Sequence, residues 1–245
     1  MRTQQGTPIR RDAYQPLAYT VDTVDLDFIL DPQETVVTNR MRCVRNPDAP
    51  AGPLVLFGEA LERLSLSLDG QAPAAGQVRE VEGGLEIDLA ADAVLLEVVT
   101  RIDPSANLTL SGLYQSRGGY YTQCEAEGFR RITYFPDRPD IMARYTVRLE
   151  ADAATCPVLL SNGNLLETGT LPDGRHFARW EDPFLKPSYL FALVAADLKA
   201  LERKVTTMSG REVLLQVWVE ARDLDRVGHA MDSLIHSLRW DEEVF

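Results

Sequence analysis

Cysteine is scarce in this chain of 245 residues: Cys43, Cys124 and Cys156 are odd in number and far apart. They suggest neither a disulfide framework nor a Cys-x-x-Cys metal site, and a reducing cytoplasm is the expected compartment. Histidine is equally scarce. His176, His229 and His236 form no His-Glu-x-x-His pair, and none sits beside a candidate nucleophile. His229 and His236 share a face of an expected helix but lack a third ligand, so they read as surface or interface residues. No apolar run approaches the ~18–20 residues of a membrane span. The polar stretch Met1–Tyr14 has no apolar core of a secretory signal and reads as a loose N-terminal arm. A glycine-rich phosphate loop is missing, and Gly118-Gly119 is a turn. Positive charge is in deficit: 25 Lys and Arg against 37 Asp and Glu give a formal charge of −12. That disfavours nucleic acid as a partner and suits either cationic ligands or a plainly solvated acidic surface.

What is present is β pattern. Tyr19–Leu30 alternates loosely, Asp31–Glu34 is a turn, and Thr35–Val44 alternates again, which predicts an antiparallel hairpin. Asn46–Pro53, with three prolines and a glycine, is a loop. Short strands are expected at Leu54–Phe57, Leu61–Leu68, Val78–Val81 and Leu85–Leu89, and a buried one at Val94–Ile102. Further on, Ile141–Glu150, Pro157–Ser161, Leu165–Gly169 and Arg175–Trp180 read as strands. Pro183–Pro187 reads as a proline-bracketed loop, and Tyr189–Ala195 as a strand buried on both faces. Turns every ~8–12 residues point to a mostly β, multi-sheet or sandwich domain. At Asp197 the character shifts. Two more strands, Leu201–Met208 and Glu212–Val219, precede a helix whose Leu224, Val227, Met231, Leu234, Ile235 and Leu238 fall on one face, with Asp223 or Asp225 as N-cap.

Functional side chains concentrate between Tyr114 and Tyr134. Read as a strand, Gln123-Cys124-Glu125-Ala126-Glu127 would aim an amide and two carboxylates from one face. An ammonium wants such acceptors, at least one of them ionised. The same face fits the solvent side of an edge strand equally well. The two glutamates suit joint cation binding better than an acid/base pair. Tyr120, Tyr121, Phe129, Tyr134 and Phe135 read as core or pocket wall.

Longer motifs carry a resemblance. Gly112-Leu113-Tyr114-Gln115-Ser116, Thr122-Gln123-Cys124-Glu125-Ala126-Glu127-Gly128-Phe129-Arg130 and Tyr134-Phe135-Pro136-Asp137-Arg138-Pro139-Asp140 strongly resemble the bacterial aminopeptidase N family of zinc metallopeptidases. Leu160–Asn164, Asp182-Pro183-Phe184 with Lys186-Pro187, Tyr189–Ala195, Ser209–Val213 and Trp240–Glu243 extend it over the chain from about Tyr14.

The resemblance implies a saddle-shaped β domain over residues 1–197, followed over 198–245 by the first two strands and helix of a thermolysin-like catalytic domain. It also separates the two carboxylates. Gln123 and Glu125 match the family's Gln-x-Glu motif, so Glu125 would bind the free α-ammonium of a peptide and Gln123 would line the pocket for its first side chain. Glu127 would be structural or support the site from behind the residues that touch the ligand. The family's His-Glu-x-x-His zinc motif and its Gly-Ala-Met-Glu-Asn motif are absent. The expectation is therefore an N-terminal fragment of a cytoplasmic aminopeptidase. It would contain no catalytic residue, bind no zinc itself, be inactive alone, and have a peptide N-terminus and the remainder of its own polypeptide as partners. The alternative is a stand-alone β-sandwich interaction module.

Overall fold

The computed structural model describes residues 10–245. Residues 1–9 of the expected arm lie outside the described residues. Its end is tied down: the Tyr14 hydroxyl donates to Asp140 Oδ2 at 2.7 Å, and the Arg138 guanidinium lies 5.2 Å from the Tyr14 ring.

The strands are, in chain order, β1 (Tyr19–Ile29), β2 (Thr35–Arg45), β3 (Leu54–Phe57), β4 (Glu62–Leu68), β5 (Val78–Val81), β6 (Gly84–Ile87), β7 (Ala93–Ile102), β8 (Gly112–Ser116), β9 (Gly119–Gln123), β10 (Met142–Asp152), β11 (Val158–Ser161), β12 (Asn164–Thr170), β13 (Arg175–Pro187), β14 (Leu193–Ala196), β15 (Lys199–Thr206) and β16 (Glu212–Val219). One helix, α1 (Gly228–Val244), follows. The fold is thus mostly β, in several sheets, as the pattern predicts.

The main sheet has seven strands in the order β12-β13-β10-β1-β2-β7-β4. Only the β1–β10 pair is parallel. Its inner face is apolar: Val24, Leu26 and Phe28 from β1, Val37 and Met41 from β2, Leu96 and Val98 from β7, and Tyr145, Val147 and Leu149 from β10 are all buried. The loose alternation of β1 has a local cause. The register shifts between Val21 and Thr23, which moves the inward set from Tyr19 and Val21 to Val24, Leu26 and Phe28. A similar shift in β4 leaves Leu64 facing solvent. The outer face carries charge ladders, Asp25–Arg40–Glu97 and Asp27–Arg148–Glu150–Arg175. The pairs of the first ladder are exposed and add at most ~1 kcal/mol each.

Two smaller sheets close the core, β3-β6-β5 and β11-β14-β9-β8. Between them and the main sheet Phe129 meets Phe135, Phe191 and Tyr145 edge-on, with centroids 5.0, 5.3 and 6.2 Å away, and Phe28 stacks on Phe191 at 5.9 Å. These offset geometries favour aromatic packing beyond burial alone.

Three expectations are corrected. Pro183–Pro187 is not a separate loop but part of β13. Asp182 pairs with Tyr145 and Lys186 with Ala143, so Pro183, Phe184 and Leu185 bow out opposite Arg144 alone. The bulge accommodates a proline that has no N–H for the ladder. Tyr189–Ala195 is not one strand buried on both faces. Ser188–Leu190 is a 3-10 turn, only Leu193–Ala196 is strand, and Ala192 is exposed while Phe191 and Leu193 are buried. Neither Asp223 nor Asp225 caps the helix. Both lie in a 3-10 stretch, Ala221–Arg226, with Leu224, and α1 starts after Val227 without a side-chain cap. The Asp223 carboxylate is engaged by Arg222 and Arg226 instead.

β15 and β16 form a two-stranded sheet of their own, against which α1 leans with Met231 fully buried. No described helix is long and apolar enough to cross a membrane.

Candidate functional site

The β8–β9 hairpin turns at Arg117-Gly118, both with positive φ as a two-residue hairpin turn requires. Its open end pairs Gly112 with Gln123. There the expected strand stops. The Gly128 N–H closes on the Cys124 carbonyl at 2.7 Å, so residues 125–128 form a turn, and a 3-10 turn, Phe129–Arg131, follows. Gln123, Glu125 and Glu127 therefore do not share a strand face.

Two features force the bend. Phe129 is drawn into the aromatic core with no exposed surface. Gly128 permits the close return of the chain: a Cβ there would lie 2.3 Å from the Gln123 carbonyl oxygen and 2.9 Å from the Gly112 nitrogen. The Gln123 side chain reaches over the turn, its Nε2 donating to the Glu125 carbonyl at 3.3 Å. Gln123, Glu125 and Glu127 are all exposed, whereas Cys124 between them is buried and its thiol pKa is pushed up by that burial.

The two carboxylates differ in what they touch. Glu127 lies 3.3 Å from Arg130 Nη2. The Glu125 carboxylate makes no hydrogen bond or ion pair among the described residues. A turn thus offers solvent one free carboxylate, flanked by an amide that donates to the turn's backbone.

The support beneath the turn was not legible in the sequence. Arg130 is clamped by Asp137: Nε lies 3.0 Å from Oδ2, Nη2 donates to the Asp137 carbonyl at 2.9 Å, and the Arg130 N–H donates to Oδ2 at 3.1 Å. Ser188 Oγ donates to the other oxygen of Asp137, and the guanidinium lies 4.6 Å from the Phe57 ring. Arg130 and Asp137 appear in the resembling motifs, but nothing in their spacing announces a buried pair. On the opposite strand side, Lys186 Nζ lies 3.6 Å from the Tyr145 ring and 3.3 Å from Asp182, in a site that lowers its pKa to about 8 through burial.

The aromatics expected as core or pocket wall differ in burial. Tyr120, Phe129 and Phe135 are core, while Tyr121 and Tyr134 are half-buried. His176 sits in β13 with Nε2 2.7 Å from the Cys156 carbonyl oxygen, and His229 and His236 are exposed on α1. Among the described residues no three His, Cys, Asp or Glu side chains converge to hold a metal ion.

Residues 96–190 match the Peptidase M1 N-terminal domain. The chain carries the N-terminal domain of the M1 peptidases. It is 49% identical over 245 residues to aminopeptidase N of Caulobacter vibrioides, all of this chain and 28% of that protein. It is 46% identical over 243 residues to aminopeptidase N of Escherichia coli, again 28% of that protein. Among solved structures, Legionella pneumophila aminopeptidase A, determined with aspartic acid, superposes with a TM-score of 0.89 at 33% identity, covering 96% of this chain and 28% of that one. The chain therefore spans a little over a quarter of the length of the curated relatives it matches. A match that runs over the whole chain does not favour the free-standing interaction module.

Proposed function

We propose that this M1 N-terminal region belongs to a cytoplasmic zinc aminopeptidase, in which Glu125 pairs with the α-ammonium of a peptide and Gln123 lines the pocket for its first side chain. The observation that carries the reading is the inequality of the two glutamates. Glu127 is engaged by Arg130 at 3.3 Å, while Glu125 is exposed and its carboxylate has no partner among the described residues. An exopeptidase must measure one residue from a chain end, and a fixed carboxylate does so by pairing with the ammonium. The α-amino pKa near ~7.7–8.0 leaves a substantial cationic fraction at neutral pH. Holding that end registers the first peptide bond against the reacting groups. Zinc, when bound, would polarise the scissile carbonyl and activate water. Its ligands would come from outside these residues, which contribute only the grip on the ammonium.

The division into residues 1–197 and 198–245 is part of the same proposal. It is supported by the sheets, since β15 and β16 pair only with each other. The three free, buried cysteines support the reducing compartment.

The test is Glu125→Gln in the full-length enzyme. Loss of a charge-assisted contact of ~1.5–3 kcal/mol lowers kcat/KM by about 10- to 150-fold, while Glu127→Gln changes it less than about threefold. Equal effects of the two substitutions would overturn the assignment. The 245-residue chain alone should release no amino-terminal alanine chromophore.

A further inference from the structure

A cleft of about 680 Å³ lies at the turn end of the β8–β9 hairpin, away from Glu125. β9 runs from Gly119, on the wall of the cleft, to Gln123, so about 14 Å of strand, at ~3.4 Å per residue, separates the two places. The volume is that of a small-molecule site. Its apolar walls are Leu30, Pro32, Ala151 and Ala196.

The polar groups of the cleft divide into those already used and those with atoms left over. At the rim, Glu220 takes Arg117 on one carboxylate oxygen and Arg222 on the other, at 3.2 and 2.8 Å. Asp31 Oδ1 accepts from the N–H groups of Gln33 and Glu34, both at 2.9 Å, and Asp152 Oδ1 from those of Ala154 and Thr155 at 3.1 and 2.8 Å. Each aspartate keeps its Oδ2 free among the described residues. Arg175 gives Nε to Glu150 at 2.8 Å and Nη2 to the Leu30 and Glu150 carbonyls at 3.4 and 3.3 Å, and keeps Nη1. Tyr120 lines the cleft and is 5% exposed, and its hydroxyl has no hydrogen-bond partner among the described residues. Burial raises the pKa of this phenol, Cys156, Asp31 and Asp152 raise it further, and Arg175 opposes them. At neutral pH it is therefore a donor, and Asp31, Asp152 and Arg175, the charged groups that act on it, are those with atoms to spare. A ligand that satisfies them accepts hydrogen bonds beside Tyr120 and Arg175 and donates to two carboxylates, with aliphatic wall between. An inorganic anion meets only the first demand and a simple cation only the second. A free α-amino acid meets both.

We propose that this cleft binds a free α-amino acid with an aliphatic side chain, its carboxylate on Tyr120 and Arg175 and its ammonium on Asp31 and Asp152. This is the class of molecule that an aminopeptidase releases, so the cleft is a site for product apart from the ammonium anchor. It stands on its own residues and does not depend on the role of Glu125.

The test is equilibrium dialysis of radiolabelled leucine against the full-length enzyme, with a competitive inhibitor in excess to fill the active site. Leucine should remain bound, one molecule per chain. Tyr120→Phe keeps the ring and removes the hydroxyl. Asp31→Asn with Asp152→Asn keeps the oxygens that accept from the turns and removes the charge. Each change should weaken the retained binding by about 10-fold or more, the loss expected for a hydrogen bond to a charged group. 4-Methylpentanoate, which lacks the ammonium, and isoamylamine, which lacks the carboxylate, should each displace leucine only at concentrations about 10-fold higher or more. Retention of no leucine once the inhibitor is present would overturn the proposal, and so would retention that neither set of substitutions weakens. Displacement by 4-methylpentanoate as readily as by leucine itself would overturn it in favour of a plain anion site. The two analogues act on the unaltered protein, so a variant that fails to fold does not shield the proposal. Glu125→Gln should leave the retained leucine in place. Its loss there would put the leucine at the ammonium anchor and overturn the second site, whereas an unchanged kcat/KM in that variant would remove the anchor and leave the cleft untouched.

Discussion

Arg130→Ala should be the most damaging single truncation near the site, and its magnitude follows from the contacts. The guanidinium gives Asp137 one bond to Oδ2 at 3.0 Å and one to the carbonyl at 2.9 Å, and it lies 4.6 Å from the Phe57 ring. The Glu127 contact adds little, because that carboxylate is 70% exposed. The decisive quantity is what remains. The Asp137 side chain is 1% exposed and keeps only the Arg130 N–H and the Ser188 hydroxyl. Leaving one partner of a buried ion pair behind costs about 3–5 kcal/mol, against a total stability of about 5–15 kcal/mol. Urea unfolding followed by tryptophan fluorescence reads this as a drop in midpoint at constant slope. A double-mutant cycle with Asp137→Ala should return a coupling energy of at least ~1 kcal/mol. A loss below ~1 kcal/mol for Arg130→Ala, or additive single effects, would refute the argument that a buried pair holds the turn.

Two further outcomes are expected. Gly128→Ala should unfold the turn or displace Gln123, because its Cβ has backbone atoms at 2.3 and 2.9 Å; the full-length enzyme should lose both stability and kcat/KM, and a wild-type Tm would refute the packing argument. Lys186 has a folded pKa of about 8, below its unfolded value, so the unfolded chain binds more protons between about pH 8 and 10.5. Stability attributable to this residue should therefore rise across that window and be flat below it. Lys186→Met should remove the rise, read as the difference between the pH dependences of the two urea titrations.

Much of the architecture was written in local pattern. The β1–β2 hairpin, the β12–β13 hairpin around Pro172-Asp173-Gly174 and the β15–β16 hairpin all follow from alternation interrupted by turn residues, which are short-range signals. The failures share a cause as well. Pro183 and Pro187 look like breakers locally, but the neighbouring β10 absorbs them as a bulge. Tyr189–Ala195 reads as uniformly apolar, but Phe191 belongs to the aromatic core while Ala192 faces solvent. Asp223 has the right residue type for a cap and is taken by two arginines.

At the site the sequence by itself determined the inventory: an amide, a thiol and two carboxylates within five residues, the family whose motif they match, and the absence of a zinc motif. Only the tertiary structure decided their geometry. Alternation would have aimed Gln123, Glu125 and Glu127 together. The pull of Phe129 into the core and the close return at Gly128 end the strand at Gln123 instead. The Arg130–Asp137 clamp then engages Glu127 and leaves Glu125 free. Local pattern sets which groups are available, because it depends on neighbours in the chain. Which of them faces solvent unpaired depends on residues brought from elsewhere in the chain, Gly112, Asp137 and Ser188, and no spacing along the sequence encodes those encounters.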